Sequence, residues 1–139
     1  MLEGHIKGRS RKAEEIILAI NPKKKSTLIA GAALDKKAQS VMIMDMRAVS
    51  YITDYFVICS APSTRRVEAI AEGIEETLNA KGIRNWHIEG KREALWVLID
   101  YGDVIAHIFY EGLRKFYDLE RLWHDAPKEH FSNACESHK

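Results

Sequence analysis

Asp100, Asp103 and His107 stand close enough in sequence to raise the question of a metal site, because carboxylate oxygens and an imidazole nitrogen together suit several divalent ions. The spacing argues for something else. The tetrad Asp100-Tyr101-Gly102-Asp103 lies between two apolar runs, residues 95–99 and 104–110. Acidic residues and a glycine between β-rich segments form a tight hairpin turn, with Gly102 free to take positive φ. Aspartate is common in such turns for backbone reasons. His107 then follows Asp103 by four residues on an extended strand, about 13 Å away. An acid and a histidine paired on a recognition face fit this spacing better than a metal cage. The expectation is no metal and no cofactor.

Cys59, His87 and His107 raise a second possibility, a cysteine nucleophile with a histidine base. Cys59 sits inside the apolar run Tyr55-Phe56-Val57-Ile58-Cys59-Ser60, where cysteine behaves as a small hydrophobe. No base is placed beside it by the sequence. A third possibility is anion binding at Ser60-Ala61-Pro62-Ser63-Thr64-Arg65-Arg66. This junction has no glycine to build a phosphate loop, yet a helix N-terminus with Arg65 and Arg66 has the chemistry to hold a phosphate or carboxylate. The alternative there is an N-cap with two solvated arginines. Trp96 is the fourth candidate. In the alternating stretch 95–100, Leu95, Val97 and Ile99 form a wholly aliphatic face, so Trp96 lies beside Asp100 on the other. An aromatic next to a charge away from the core has the composition of an interface hot spot; cover by the chain's own C-terminal helix is the competing reading.

The elements that must position these residues follow from periodicity. Residues 13–20 suit a short helix stopped at Asn21-Pro22, residues 22–25 read as a linker, and Ser26-Thr27 caps a helix running to about Gln39. Residues 41–46 and 55–60 are short and nearly continuous in hydrophobicity, as in covered strands. Ser63 or Thr64 caps the next helix, whose apolar face is Val67, Ile70, Ala71, Ile74 and Leu78 and which closes at Lys81-Gly82. Residues 83–89, 95–100 and 104–110 are three further strands, and a last helix starts near Glu111. The fold class is α/β: a single mixed sheet of about five strands with flanking helices. The helix between strands two and three suggests a right-handed crossover.

The chain's 139 residues fit one folded domain with room for terminal segments. The divisions expected are a basic arm over 1–25 with a short helix, a body over 26–123 and a polar tail over 124–139. Seven Lys/Arg against three Glu give the arm a charge of +4, so an overall +1 leaves the rest at −3. An acidic body argues against a protein that coats nucleic acid and permits a basic protein partner, while the basic arm has the charge to touch RNA. Two cysteines make no disulfide framework, and no apolar run approaches the roughly 20 residues of a membrane span, so the expected location is the cytosol.

Several ordered elements resemble the Iojap-like ribosomal silencing factor family, also called RsfS. They are Ile52-Thr53-Asp54-Tyr55-Phe56-Val57-Ile58; Ser63-Thr64-Arg65 with Val67 and Ile70-Ala71; Glu89-Gly90; Trp96; Asp100-Tyr101-Gly102-Asp103-Val104-Ile105 with His107; and Tyr117-Asp118-Leu119-Glu120-Arg121-Leu122-Trp123. The resemblance covers about residues 41–123. It implies a nucleotidyltransferase-like α/β fold and a protein that is not an enzyme. It also implies binding to the large-subunit ribosomal protein L-fourteen, a block on subunit joining under nutrient limitation, and a homodimer when free. The partner face it points to comprises Trp96, Asp100, Asp103, His107, Tyr117, Leu119, Glu120 and Trp123, with Thr53 and Asp54 carried by the family motif. The competing reading is a nucleotidyltransferase-like enzyme with a nucleotide at Ser63–Arg66. Such chemistry requires a Gly-Ser pair and closely spaced carboxylates, and this chain has neither Gly-Ser after its second strand nor Asp-x-Asp there.

Overall fold

The structure, a computed structural model, describes residues 21–113 and 126–131. The expected helix over 13–20 and the site candidates Tyr117, Leu119, Glu120 and Trp123 lie outside the described residues. Within them, helix α1 (Pro22–Asp35) leads into strands β1 (Gln39–Asp45) and β2 (Tyr55–Ala61). Helix α2 (Thr64–Ala80) follows, then β3 (His87–Glu89), β4 (Trp96–Asp100), β5 (Val104–Tyr110) and β6 (Lys128–His130).

One six-stranded sheet runs in the order β3-β4-β5-β2-β1-β6. β2 and β5 are parallel and every other pairing is antiparallel. This is the mixed sheet of the expected fold class, with one strand more than expected. The extra strand, β6, falls in the stretch read as a polar tail. Its three residues are all exposed, so no hydrophobic period announces it; its backbone pairs with Met42–Met44 of β1. The crossover also differs from expectation. The parallel neighbour of β2 is β5, and β3 is instead an edge strand antiparallel to β4.

The two sheet faces carry separate hydrophobic clusters, as the period of two along each strand requires. Val41 and Ile43, Val57 and Cys59, Val97 and Ile99, and Ala106 and Ile108 point to one side, where they are buried with Ile29 and Ala33 of α1 and Val67, Ile70, Ile74 and Leu78 of α2. The α2 stripe is the face expected from its spacing. Met42, Met44, Phe56, Ile58 and Phe109 point the other way and form a second cluster with Met46 and Ala126; Trp96, Ile105 and Leu113 pack partly buried against it.

Helix starts depend on single side chains. Asn21 caps α1, its side-chain oxygen accepting from the Lys24 N–H at 2.8 Å, and Pro22 occupies the first turn. The stretch read as a linker is therefore helical: proline's fixed φ and missing donor suit a first turn. Ser26 is buried, and its hydroxyl donates back to the Lys23 carbonyl at 2.6 Å instead of capping a start. Ser63 caps α2 as expected, accepting from the Arg66 N–H at 3.1 Å.

Candidate partner-binding site

The residues singled out above converge on one end of the sheet and on the second of its faces. The turn between β4 and β5 is built as its sequence required. The Asp100 carboxylate accepts from the Gly102 N–H at 2.7 Å, and Gly102 has φ +89°. Tyr101 donates its N–H to the Val104 carbonyl at 2.9 Å and is itself buried. Asp103 pairs with Lys25 of α1 at 2.7 Å, and its carbonyl accepts from the N–H groups of Asp54 and Tyr55 at 2.9 and 3.1 Å. Both aspartates thus shape the turn while keeping part of their surface in water.

The loop between β1 and β2 sits beside this turn and is closed by its own hydrogen bonds. The Met46 N–H donates to the Asp54 carbonyl at 2.7 Å, and the Ser50 hydroxyl accepts from the N–H groups of Ile52 and Thr53 at 3.1 and 3.4 Å. Thr53 is buried, its hydroxyl directed at the Tyr55 carbonyl, so any part it plays in binding comes through the loop it positions. The Asp54 side chain is part-exposed and makes no hydrogen bond or salt bridge among the described residues; the Arg47 guanidinium, bonded to Asp45, acts on it through its charge.

His107 and Trp96 meet on the second face. The indole Nε1–H of Trp96 donates to His107 Nδ1 at 3.1 Å, which requires a lone pair on Nδ1 and leaves the proton of a neutral ring on Nε2. Phe56 meets the imidazole edge-on with ring centroids 4.6 Å apart, and Phe109 stacks on Trp96 at 4.9 Å. His107 is only 4% exposed, and burial pushes its pKa down to about 4. It is neutral and packs against the second cluster through Phe56 and Trp96, the latter half-buried. Leu95, placed on the core face by alternation, precedes β4 and is exposed, because the sheet pairing of this strand begins only at Trp96.

The remaining candidates lie apart. Arg65 is exposed and Arg66 part-exposed at the capped start of α2, neither paired with a carboxylate among the described residues. Cys59 is buried in the first cluster, and its neighbours there are apolar. His87 is on the edge strand and pairs with Glu89 at 2.7 Å. Among the described residues no three His, Cys, Asp or Glu side chains are grouped to hold a metal ion, and no helix is long and apolar enough to cross a membrane.

Sequence reasoning misses three residues at the turn end: Tyr51, Ile52 and Trp86 are large, apolar and exposed. The available signal was their position. Tyr51 and Ile52 are bulky apolar residues in a loop between strands, and Trp86 falls in a stretch assigned to a strand whose pairing starts only at His87.

Residues 19–139 match the family described as "Ribosomal silencing factor during starvation". A ribosomal silencing factor of Bacillus subtilis (strain 168) is 42% identical over 108 residues, which cover 78% of this chain and 92% of that protein. The ribosomal silencing factor of Halalkalibacterium halodurans is 43% identical over 100 residues, covering 72% and 86% respectively. A crystal structure of a Bacillus halodurans protein superposes with a TM-score of 0.67 at 38% identity, over 76% of this chain and 95% of that one.

Proposed function

The chain belongs to the ribosomal silencing factor family, and we propose that it silences by steric exclusion, without turnover. In this reading it binds ribosomal protein L-fourteen on the joining face of the large subunit and keeps the small subunit away when nutrients are short. The observation that carries the reading is the 42% identity, over nearly the whole length of the relative, to a protein named as a ribosomal silencing factor. The exposed ends of the sheet loops support it, since they offer carboxylates and apolar side chains and leave His107 and Cys59 buried. Trp96, Asp54, Asp100 and Asp103 would touch the partner; Thr53 and His107 would hold them in place. Tyr117, Leu119, Glu120 and Trp123 complete the proposed face through the family resemblance.

Sucrose-gradient sedimentation of purified subunits tests this directly. Stoichiometric protein should shift joined ribosomes to separate subunits, with the protein co-migrating with the large one. Unchanged joining would defeat the proposal, and heat release on titrating nucleotides would favour an enzyme working at Ser63–Arg66.

We also propose that the free protein is a homodimer using part of the same surface, since a two-fold contact is the commonest way to cover an exposed apolar strip. Light scattering over a dilution series should show a dimer giving way to monomer. A protein that stays monomeric at high micromolar concentration excludes it.

A further inference from the structure

The turn end of the sheet carries three large apolar side chains in water. Tyr51 is fully exposed, Ile52 is 82% exposed and Trp86 is 78% exposed. Backbone hydrogen bonds from separate segments bring them together. The Asp54 N–H donates to the Asp103 carbonyl at 2.9 Å, and the Trp86 N–H donates to the Asp100 carbonyl at 2.7 Å, so one turn anchors both the loop and the tryptophan. The indole lies over Gly102, where a Cβ would come within 2.8 Å of the ring. β3 and β2 are three strand spacings apart in the sheet order, roughly 14 Å, so a single partner surface reaches all three side chains. Single exposed apolar residues are ordinary; a group of three on ordered backbone marks a contact.

The charges around them select the partner. Lys23, Lys25 and Arg47 are each tied to a carboxylate, that of Glu129, Asp103 and Asp45 respectively. The Asp54 carboxylate makes no hydrogen bond or salt bridge among the described residues and feels the charge of Arg47, whose guanidinium is bonded to Asp45, while Asp100 uses one oxygen on the turn, so both acids keep oxygen atoms for a partner. Recognition of a nucleic-acid strand works the other way, with uncommitted cations on phosphate beside the stacking aromatics. We infer that this end of the sheet is a docking surface for a basic protein segment, with Tyr51, Ile52 and Trp86 as its apolar anchors and Asp54 and Asp100 meeting lysine or arginine. The inference rests on the proposed ribosomal protein partner and moves the main anchoring from half-buried Trp96 to side chains already in water.

The test is binding of purified large subunits by the full chain and by variants. Ile52→Ser with Trp86→Ser should weaken binding at least thirtyfold while the melting temperature holds. Tyr51→Ser, at a position with no packing to lose, should weaken it several-fold, and Asp54→Lys should weaken it as well. Wild-type protein that binds alongside variants that bind equally well overturns this surface and leaves the proposed function standing. Wild-type protein that fails to bind overturns both. Tighter binding by Asp54→Lys would assign the surface to RNA phosphate, and a loss confined to self-association would assign it to a second copy of the chain; either result overturns the inference.

Discussion

Gly90→Ala is expected to remove about 3–5 kcal/mol of stability, a large part of what a domain of this size has. Two independent reasons add. Gly90 has φ +80°, where a side chain costs roughly 1–2 kcal/mol. A Cβ there would also lie 2.0 Å from the carbonyl oxygen of Trp96, an overlap that only backbone movement relieves. That carbonyl begins β4, so the displaced segment is the pairing of β4 with β5, where Trp96 faces Phe109. Urea unfolding of the variant beside Gly31→Ala gives the comparison. Gly31 is inside α1, and no neighbouring group comes within 4 Å of the place an alanine methyl would take, so alanine there should be neutral or stabilise by up to about 1 kcal/mol. A loss below about 1 kcal/mol at Gly90 would mean that the β3–β4 connection yields easily.

Stability should also fall by about 3 kcal/mol between pH 7 and pH 4 through His107 alone. The folded protein keeps this imidazole neutral down to about 4, against an ordinary value of 6.5, because the ring is buried. Below pH 6.5 the unfolded chain takes up a proton that the folded chain refuses. Each pH unit in that window then costs up to about 1.4 kcal/mol, and the loss levels off below about pH 4. The stabilisation is therefore complete above 6.5 and lost on acidification. The Trp96 hydrogen bond acts in the same direction, since protonated Nδ1 would turn a donor toward the indole N–H. His107→Gln keeps an acceptor for Trp96 and does not titrate. Its unfolding free energy, measured from pH 7 to 4, should decline less steeply than that of the wild type by this amount. Parallel curves would show that the ring gains access to water or to a compensating charge.

Much of the fold is legible in local patterns, because local geometry imposes them. Val67, Ile70, Ala71, Ile74 and Leu78 recur at the period of a helix and are buried on one face of α2. The turn at Asp100–Asp103 follows from an Asx side chain and a glycine within four residues, and it carries the expected bond and φ. Alternation correctly assigned Val97 and Ile99 to the core and Trp96 to the opposite side of β4. The family resemblance was likewise carried by short ordered motifs, and the match over residues 19–139 bears it out.

Tertiary structure decided what depends on partners distant in sequence. β2 and β5 lie side by side although a helix and two strands separate them, and β6 joins β1 through backbone bonds that exposed Lys128, Glu129 and His130 could not advertise. Periodicity tells which side of a strand a residue occupies; it does not tell what covers that side. His107 and Thr53 therefore read as surface residues and proved buried, whereas Trp86, aromatic and adjacent to a strand, stands in water. Burial is a property of the assembled surroundings: the charge state of His107 was set when Phe56 and Trp96 closed over it on the second face, and the exposure of Tyr51, Ile52 and Trp86 when the loops met at the turn end of the sheet.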